Sequence, residues 1–141
     1  MEAALANLGR QGLTTASGSP AFWRAIAQHC LAHGHSLALR RITVVGAPAS
    51  PRLVEVLRQA SPRAEIVCLY GRAEAQPLAV LEAAEIAART AALTARGAGL
   101  ALGRLAPAVQ ARVLDAAGRE QPADAPGEIW VAGPHIAGQA D

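Results

Sequence analysis

The sequence predicts an α/β fold, in which a parallel βαβαβ sheet flanked by helices is followed by a small antiparallel β unit. Two observations predict the sheet. Short apolar strands alternate with amphipathic helices at spacings of roughly 25 residues, and two of the helices open with a Ser-Pro pair. A third observation, the alternation of apolar and polar residues near the end of the sequence, predicts the antiparallel unit. Right-handed crossovers are expected between the parallel strands.

Helix and strand signals alternate along the first 70 residues. Ser19-Pro20 and Ser50-Pro51 each supply a capping hydroxyl followed by a proline in the first turn, where its missing N–H costs nothing. Gly34 is a stop signal for the first of these helices. The predicted elements are helix 1–11, strand 12–16, helix 19–33, strand 41–46, helix 50–60 and strand 66–69.

Both Ser-Pro helices are predicted to be amphipathic, with one apolar side facing the sheet. In the first helix we expect Phe22, Ile26, Ala27, Cys30 and Leu31 to be buried. In the second helix the apolar side comprises Leu53, Val54, Val56, Leu57 and Ala60.

The pattern changes near residue 97, where we place a boundary between an α/β subdomain, 1–96, and a β subdomain, 97–141. Before it, a short strand at 78–81 and a helix at 82–96 are predicted. After it, the strands are expected at 109–115 and 128–132, with Gly118 in the turn. The glycine-rich run 97–103 follows a helix rather than a strand, so it lacks the context of a dinucleotide-binding fingerprint.

Composition excludes several classes of function. The chain has 141 residues, 52% of them apolar but only 3% aromatic, and a net charge of +2. Its arginines are scattered among acids, so no nucleic-acid surface is expected. No apolar run is as long as a membrane span and no leader is recognisable, which predicts a cytoplasmic protein. All 13 basic side chains are arginine, and the chain has no lysine. This chain by itself therefore cannot carry out a mechanism that needs a lysine ammonium group.

One segment, 65–77, concentrates groups suited to a ligand site. A buried strand is expected to end at Tyr70-Gly71, and Glu74 follows. Loops at the carboxyl ends of parallel strands converge on a crevice where ligands bind. The tyrosine ring can face a heterocycle, the glycine allows close backbone approach, and the carboxylate can hold Mg²⁺. From spacing alone, the favoured explanation of the segment is an ordinary strand end with a half-buried tyrosine and a solvated acid.

Two other clusters are weaker candidates. His29, Cys30, His33 and His35 include two histidines one helical turn apart, but no acid nearby completes a tetrahedral metal site. We interpret them as the end of a helix, where histidines face its negative pole. Ser17 and Ser19 lie before a helix as in a nucleophile elbow, yet the Gly-x-Ser-x-Gly pattern is missing. Cys30 and Cys68 are interpreted as reduced core thiols.

Several segments together resemble the adenylate-forming, AMP-binding enzymes. Residues 70–74, Tyr-Gly-Arg-Ala-Glu, resemble the Tyr-Gly-x-Thr-Glu signature of that family. Residues 39–48 are similar to its strand ending in Gly-Gly-Ala-Pro, and 127–134 to its Gly-Glu-Ile-x-Val-x-Gly-Pro. Gly103-Arg104 resembles the start of the Gly-Arg-Pro that follows the signature in that family. Within the family, residues 74–79 and 94–99 look most like the β-lactone synthetases of olefin biosynthesis or fatty-acyl ligases.

The resemblance implies roles for individual residues. Gly46, Ala47 and Pro48 are expected to border adenine, Tyr70 to stack on it beside Gly71, and Glu74 to help hold Mg²⁺ at the phosphates of ATP. The family reaction activates a fatty or other carboxylic acid as an acyl-adenylate, with ATP as the co-substrate. In the β-lactone branch the β-hydroxyl of the activated acid closes the ring.

Departures from the family pattern leave three hypotheses. Ala73 replaces the signature threonine, and neither the phosphate loop with its lysine nor the ribose-binding aspartate is matched. The first hypothesis is that the chain is part of the N-terminal domain of an acyl-adenylating enzyme, either a fragment or one subunit of a split enzyme, and is inactive alone. A complementary subunit or a homo-oligomer is expected as its partner. The alternatives are a degenerate binding or assembly module and, less favoured, a small hydrolase.

Overall fold

The computed structural model describes residues 12–85, 88–97, 99–122 and 125–136. The predicted helix 1–11 lies outside these ranges. Three parallel strands form one side of a five-stranded sheet, whose order is β1-β2-β3-β4-β5. They are β1 (Thr15–Gly18), β2 (Arg41–Val44) and β3 (Glu65–Arg72), in the register Thr15↔Arg41↔Glu65. The predicted parallel βαβαβ arrangement is confirmed, with β1 starting three residues later than expected.

Two helices connect these strands, and both begin as the Ser-Pro pairs predict. They are α1 (Pro20–Ala32) and α2 (Pro51–Ala60). The hydroxyl of Ser19 accepts a hydrogen bond from the amide of Phe22, and the hydroxyl of Ser50 accepts one from the amide of Leu53, each at 3.2 Å. Each cap satisfies an amide that the first helical turn leaves without a partner.

The main core lies between these helices and one face of the sheet. The prediction for α1 was partly wrong, because Phe22 and Leu31 are 40% and 41% exposed while Trp23 is fully buried. Trp23 shares the i, i+3, i+4, i+7 stripe of the helix with Ile26, Ala27 and Cys30, and Phe22 and Leu31 flank that stripe. The core members contributed by α2 and the strands include Leu53, Val54, Leu57, Ala60, Ile42, Val44, Ile66 and Cys68.

The hairpin after β3 corrects the prediction for 66–81. Strand β3 continues through Tyr70 and Gly71 to Arg72 and pairs in antiparallel fashion with β4 (Ala75–Glu82). The predicted short strand 78–81 is therefore the second half of the longer strand β4. In place of the predicted helix 82–96, the chain forms a 3₁₀ turn (Ala83–Glu85) followed by α3 (Ala88–Ala95). Backbone pairing with β3 extends both strands beyond their apolar runs.

The fifth strand, β5 (Arg104–Leu105), is short and pairs with β4. Gly103, immediately before it, has φ +95°, and a Cβ there would lie 2.0 Å from the carbonyl oxygen of Val80. The domain boundary at residue 97 stays a prediction, although β5 lies beyond it and belongs to the main sheet. A second apolar cluster joins Ala75 and Leu78 of β4 to Ala106 and Val109.

The predicted antiparallel unit is a two-stranded sheet of β6 (Gln110–Leu114) and β7 (Glu128–Ala132). At the end of β6, the Asp115 carboxylate accepts hydrogen bonds from the amides of Arg119 and Ala117 and from the Arg119 guanidinium. The bond from the Arg119 amide contributes most to holding the Asp115 pKa below its usual value. This Asx-type turn fixes the bend around Gly118.

None of the helices in the described ranges combines the length and the hydropathy that crossing a membrane requires.

Candidate functional site

The carboxyl ends of β2 and β3 lie at the same edge of the sheet, because the two strands are parallel. After β2 the chain bends through Gly46, Ala47 and Pro48, all of which are exposed. Gly46 has φ +86°, and a Cβ at this position would meet no atom within 4 Å. The glycine is thus explained by the left-handed backbone of the bend rather than by crowding.

A small concavity brings this bend together with Tyr70. Ala47, Pro48 and Ala49 line one side of it, and Cys68, Leu69 and Tyr70 of β3 line another. The remaining lining residues are Leu81, Ala101 and Leu102. The enclosed volume is about 10 Å³, room for roughly one water molecule. This space is too small to enclose a flat ring.

Tyr70 is held in place by the second apolar cluster. Its partly buried side chain packs against the group formed by Ala75, Leu78, Ala106 and Val109. The same residue lines the concavity, so the structure gives it a packed side and an accessible side. A ring fixed in this way loses little conformational freedom when a second ring stacks on it.

Gly71 lies in a bulge within the β3–β4 pairing, which corrects the prediction that the strand ends at Tyr70-Gly71. The register between β3 and β4 shifts between Tyr70 and Arg72. A Cβ at Gly71 would lie 2.5 Å from the carbonyl oxygen of Ala75, so a larger residue would push the hairpin apart. Bulges of this kind change the direction of neighbouring side chains. The turn of the hairpin is formed by Ala73 and Glu74 instead.

Glu74 lies at the tip of this hairpin and does not line the concavity. Its carboxylate is half exposed and pairs with the Arg72 Nε at 2.9 Å. Within the described ranges, no three His, Cys, Asp or Glu side chains are placed to hold a metal ion together. A single accessible carboxylate still fits Mg²⁺, which keeps water ligands and takes further oxygens from phosphates. The role of Glu74 as a metal ligand stays a prediction.

Burial keeps both thiols protonated at neutral pH. Desolvation raises the pKa of Cys68, which lines the concavity, to about 11, and it also raises the pKa of Cys30. Both cysteines are buried and free. A protonated thiol is a poor nucleophile and a poor metal ligand, so Cys68 contributes apolar surface to the concavity.

The weaker candidates have structural explanations. The Ser19 hydroxyl caps α1, and Ser17 pairs with Thr43 within the sheet. His33 follows the last residue of α1, and its Nδ1 lies 2.9 Å from the carbonyl oxygen of His29. The imidazole rings of these two histidines are 4.2 Å apart. The interpretation of the histidines as a helix end is confirmed.

Sequence reasoning missed six residues that line the concavity. Ala49, Cys68 and Leu69 are neighbours in sequence of predicted site residues, whereas Leu81, Ala101 and Leu102 are not. Leu81 reaches it through the long β3–β4 pairing. The segment 101–102 is brought there by the pairing of β5 with β4. Neither pairing could be predicted from the local sequence. Alanine and leucine are common in any chain, so Leu81, Ala101 and Leu102 do not by themselves indicate a site.

Comparison with known proteins places this geometry in context. The family model described as "AMP-binding enzyme" matches residues 1–139. The olefin beta-lactone synthetase of Stenotrophomonas maltophilia is 36% identical over 107 residues, which are 74% of this chain and 18% of the relative. The long-chain-fatty-acid–CoA ligase of Thermus thermophilus is 33% identical over 135 residues, 91% of this chain and 24% of the relative.

A solved structure supports the same comparison. The amide bond synthetase McbA from Marinactinospora thermotolerans superposes with a TM-score of 0.76 at 30% identity, covering 96% of this chain and 26% of McbA. The chain therefore spans about a quarter or less of the length of each of these relatives.

Proposed function

Because the chain belongs to the AMP-binding enzyme family, we propose that it supplies the adenine-facing wall of an adenylate-forming site. It is part of an adenylate-forming domain of the acyl ligase and adenylation type. In our proposal the protein uses ATP to activate a carboxylic acid as an acyl-adenylate. Residues of this chain hold the nucleobase while the acid attacks the α-phosphate and pyrophosphate leaves.

The observation that carries this proposal is the concavity shared by Ala47, Pro48 and Tyr70. A purine placed over its open side would stack on the tyrosine ring and lie along the backbone of the bend. Exposed peptide groups at Gly46 and Ala47 offer donors and acceptors for the edge of the base. Aromatic stacking supplies affinity, and backbone hydrogen bonds supply discrimination between bases.

Glu74 and Arg72 are proposed to act at the phosphates. When bound, Mg²⁺ would neutralise negative charge on the phosphate oxygens. In our proposal the Glu74 carboxylate, released from the Arg72 guanidinium, would help to hold the ion. Breaking the Arg72–Glu74 ion pair costs little free energy, because ion pairs between exposed side chains contribute little to stability.

The names of the relatives suggest the acid. A synthetase of olefin β-lactones and a ligase of long-chain fatty acids both match the chain, so we propose a long-chain fatty acid as the substrate. A complementary subunit or a second copy of the chain, and a cytoplasmic location, also stay predictions.

Calorimetric titration with AMP tests the nucleotide site, in a chain that carries Arg24→Gln and Arg52→Gln so that these two arginines of α1 and α2 cannot bind the phosphate of AMP. We expect Tyr70→Ala to weaken AMP binding by about 5- to 150-fold, the range that loss of one base–aromatic stack of about 1–3 kcal/mol produces. Tyr70→Phe keeps the ring and is expected to bind AMP nearly as tightly as the same chain with Tyr70. Both variants remain folded if their urea midpoints stay close to the native value.

Trp130→Ala is the matched control, because this tryptophan lies on β7, is 58% exposed and does not line the concavity. It is expected to leave AMP affinity unchanged. Equal AMP affinity of this chain with and without Tyr70→Ala would refute the proposed site.

A further inference from the structure

A second cavity lies on the helical side of the molecule, between α1 and α2. Its volume is about 310 Å³, and it is lined by Arg24 and Gln28 of α1 and by Arg52, Leu53 and Val56 of α2. None of these residues lines the concavity at Tyr70. The volume falls in the range of sites for small organic molecules.

Both helices contribute charged and neutral side chains to the cavity. Arg24 and Arg52 lie in the N-terminal halves of their helices, and Gln28 and Val56 lie one turn further along. Residues four apart share a helix face, so each helix contributes one arginine and one neutral residue to the same groove. The groove therefore combines two cationic side chains with the neutral side chains of Gln28 and Val56.

Within the described part of the chain, no acid compensates the two arginines. Neither Arg24 nor Arg52 takes part in the ion pairs formed by the described residues. Helix α1 contains no acidic residue. Glu55 of α2 accepts a hydrogen bond from the Gln59 amide at 3.1 Å, one turn further along the helix, and does not line the groove.

We propose that this groove binds a phosphomonoester, with its phosphate between Arg24 and Arg52 and its organic part along Gln28 and Val56. Two guanidinium groups match the oxygens of a phosphate dianion and bind it through charge-assisted hydrogen bonds. The apolar surface of Val56 and Leu53 favours an ester over inorganic phosphate. The Gln28 amide adds one donor and one acceptor for polar groups of the ester.

Nuclear magnetic resonance titration with phenyl phosphate tests this site. We expect the Nε–H signals of Arg24 and Arg52 to shift, and phenyl phosphate to bind more tightly than inorganic phosphate or benzoate. Arg24→Gln and Arg52→Gln should each weaken binding by about tenfold, as expected for the loss of one charge-assisted contact. Binding should strengthen as pH rises through about 6, where the phosphate becomes a dianion.

Two controls separate this site from general charge attraction and from the nucleotide site. Arg63→Gln removes the same charge beyond the far end of α2 and is expected to leave binding unchanged. Tyr70→Ala is also expected to leave the binding of phenyl phosphate unchanged, although it weakens the binding of AMP at the concavity. The inference is overturned if the Arg24→Gln, Arg52→Gln double variant binds phenyl phosphate like the native chain. Equal weakening by Arg63→Gln, or loss of binding in Tyr70→Ala, overturns it as well.

Discussion

Trp23→Ala is expected to lower the free energy of unfolding by about 3–5 kcal/mol, the usual cost of deleting a buried aromatic side chain. Trp23 is fully buried between α1 and the sheet. Its Nε1 donates a hydrogen bond to the carbonyl oxygen of Thr43 at 2.9 Å, which fastens the helix to β2. The alanine would leave a cavity and also remove the partner of that carbonyl.

Urea denaturation measures this loss, and two variants show its origin. Phe22→Ala removes the neighbouring, partly exposed ring and is expected to lower the free energy of unfolding clearly less than Trp23→Ala does. Trp23→Phe keeps most of the apolar volume but loses the hydrogen bond. Its loss of unfolding free energy is therefore expected to lie between those of Phe22→Ala and Trp23→Ala. A loss below about 1 kcal/mol for Trp23→Ala would contradict the burial of this side chain.

Gly103→Ala is the second large effect, and we expect a destabilisation of about 3 kcal/mol or more. Two costs combine at this position. A non-glycine residue at φ +95° is strained, by about 1–3 kcal/mol. The new Cβ would also lie 2.0 Å from the oxygen of Val80, so β5 must move away from β4, an overpacking cost of about 1–3 kcal/mol.

Gly118→Ala separates these two costs. Gly118 has a similar φ, +75°, but a Cβ there meets no atom within 4 Å. It should therefore show only the backbone strain, about 1–2 kcal/mol. Comparable urea midpoints for the two variants would contradict the close approach of Gly103 to β4. Since residues 101–102 line the concavity, Gly103→Ala is also expected to weaken AMP binding.

The parts of the fold that the sequence predicts are those with local causes. The hydroxyls of Ser19 and Ser50 cap the helices that follow them, whatever the rest of the chain does. Strand β2 is β-branched and short, and its neighbours alternate with helices. The length of β4 and the existence of β5 depend instead on pairing between segments that are distant in sequence, and such pairing leaves no periodic signal.

The candidate site divides in the same way. Because β2 and β3 are parallel and adjacent, the bend at Gly46 and the end of β3 lie at the same edge of the sheet. The proximity of Ala47, Pro48 and Tyr70 could therefore be predicted from the sequence. The bulge at Gly71 could not, because it depends on how closely Ala75 approaches across the hairpin. Glu74 lies outside the concavity, in the turn between β3 and β4, where its carboxylate pairs with Arg72.

The most direct test of the adenine-facing wall is the amide footprint of AMP in a ¹⁵N-labelled sample of the chain. We expect shifts at Gly46, Ala47, Tyr70 and Gly71 that persist in the Arg24→Gln, Arg52→Gln double variant, in which the phosphate of AMP can no longer bind between α1 and α2. At the same AMP concentration, these shifts are expected to be much smaller in Tyr70→Ala. Shifts confined to α1 and α2, or spread over β6 and β7 with Gly46 and Tyr70 unaffected, would contradict this expectation.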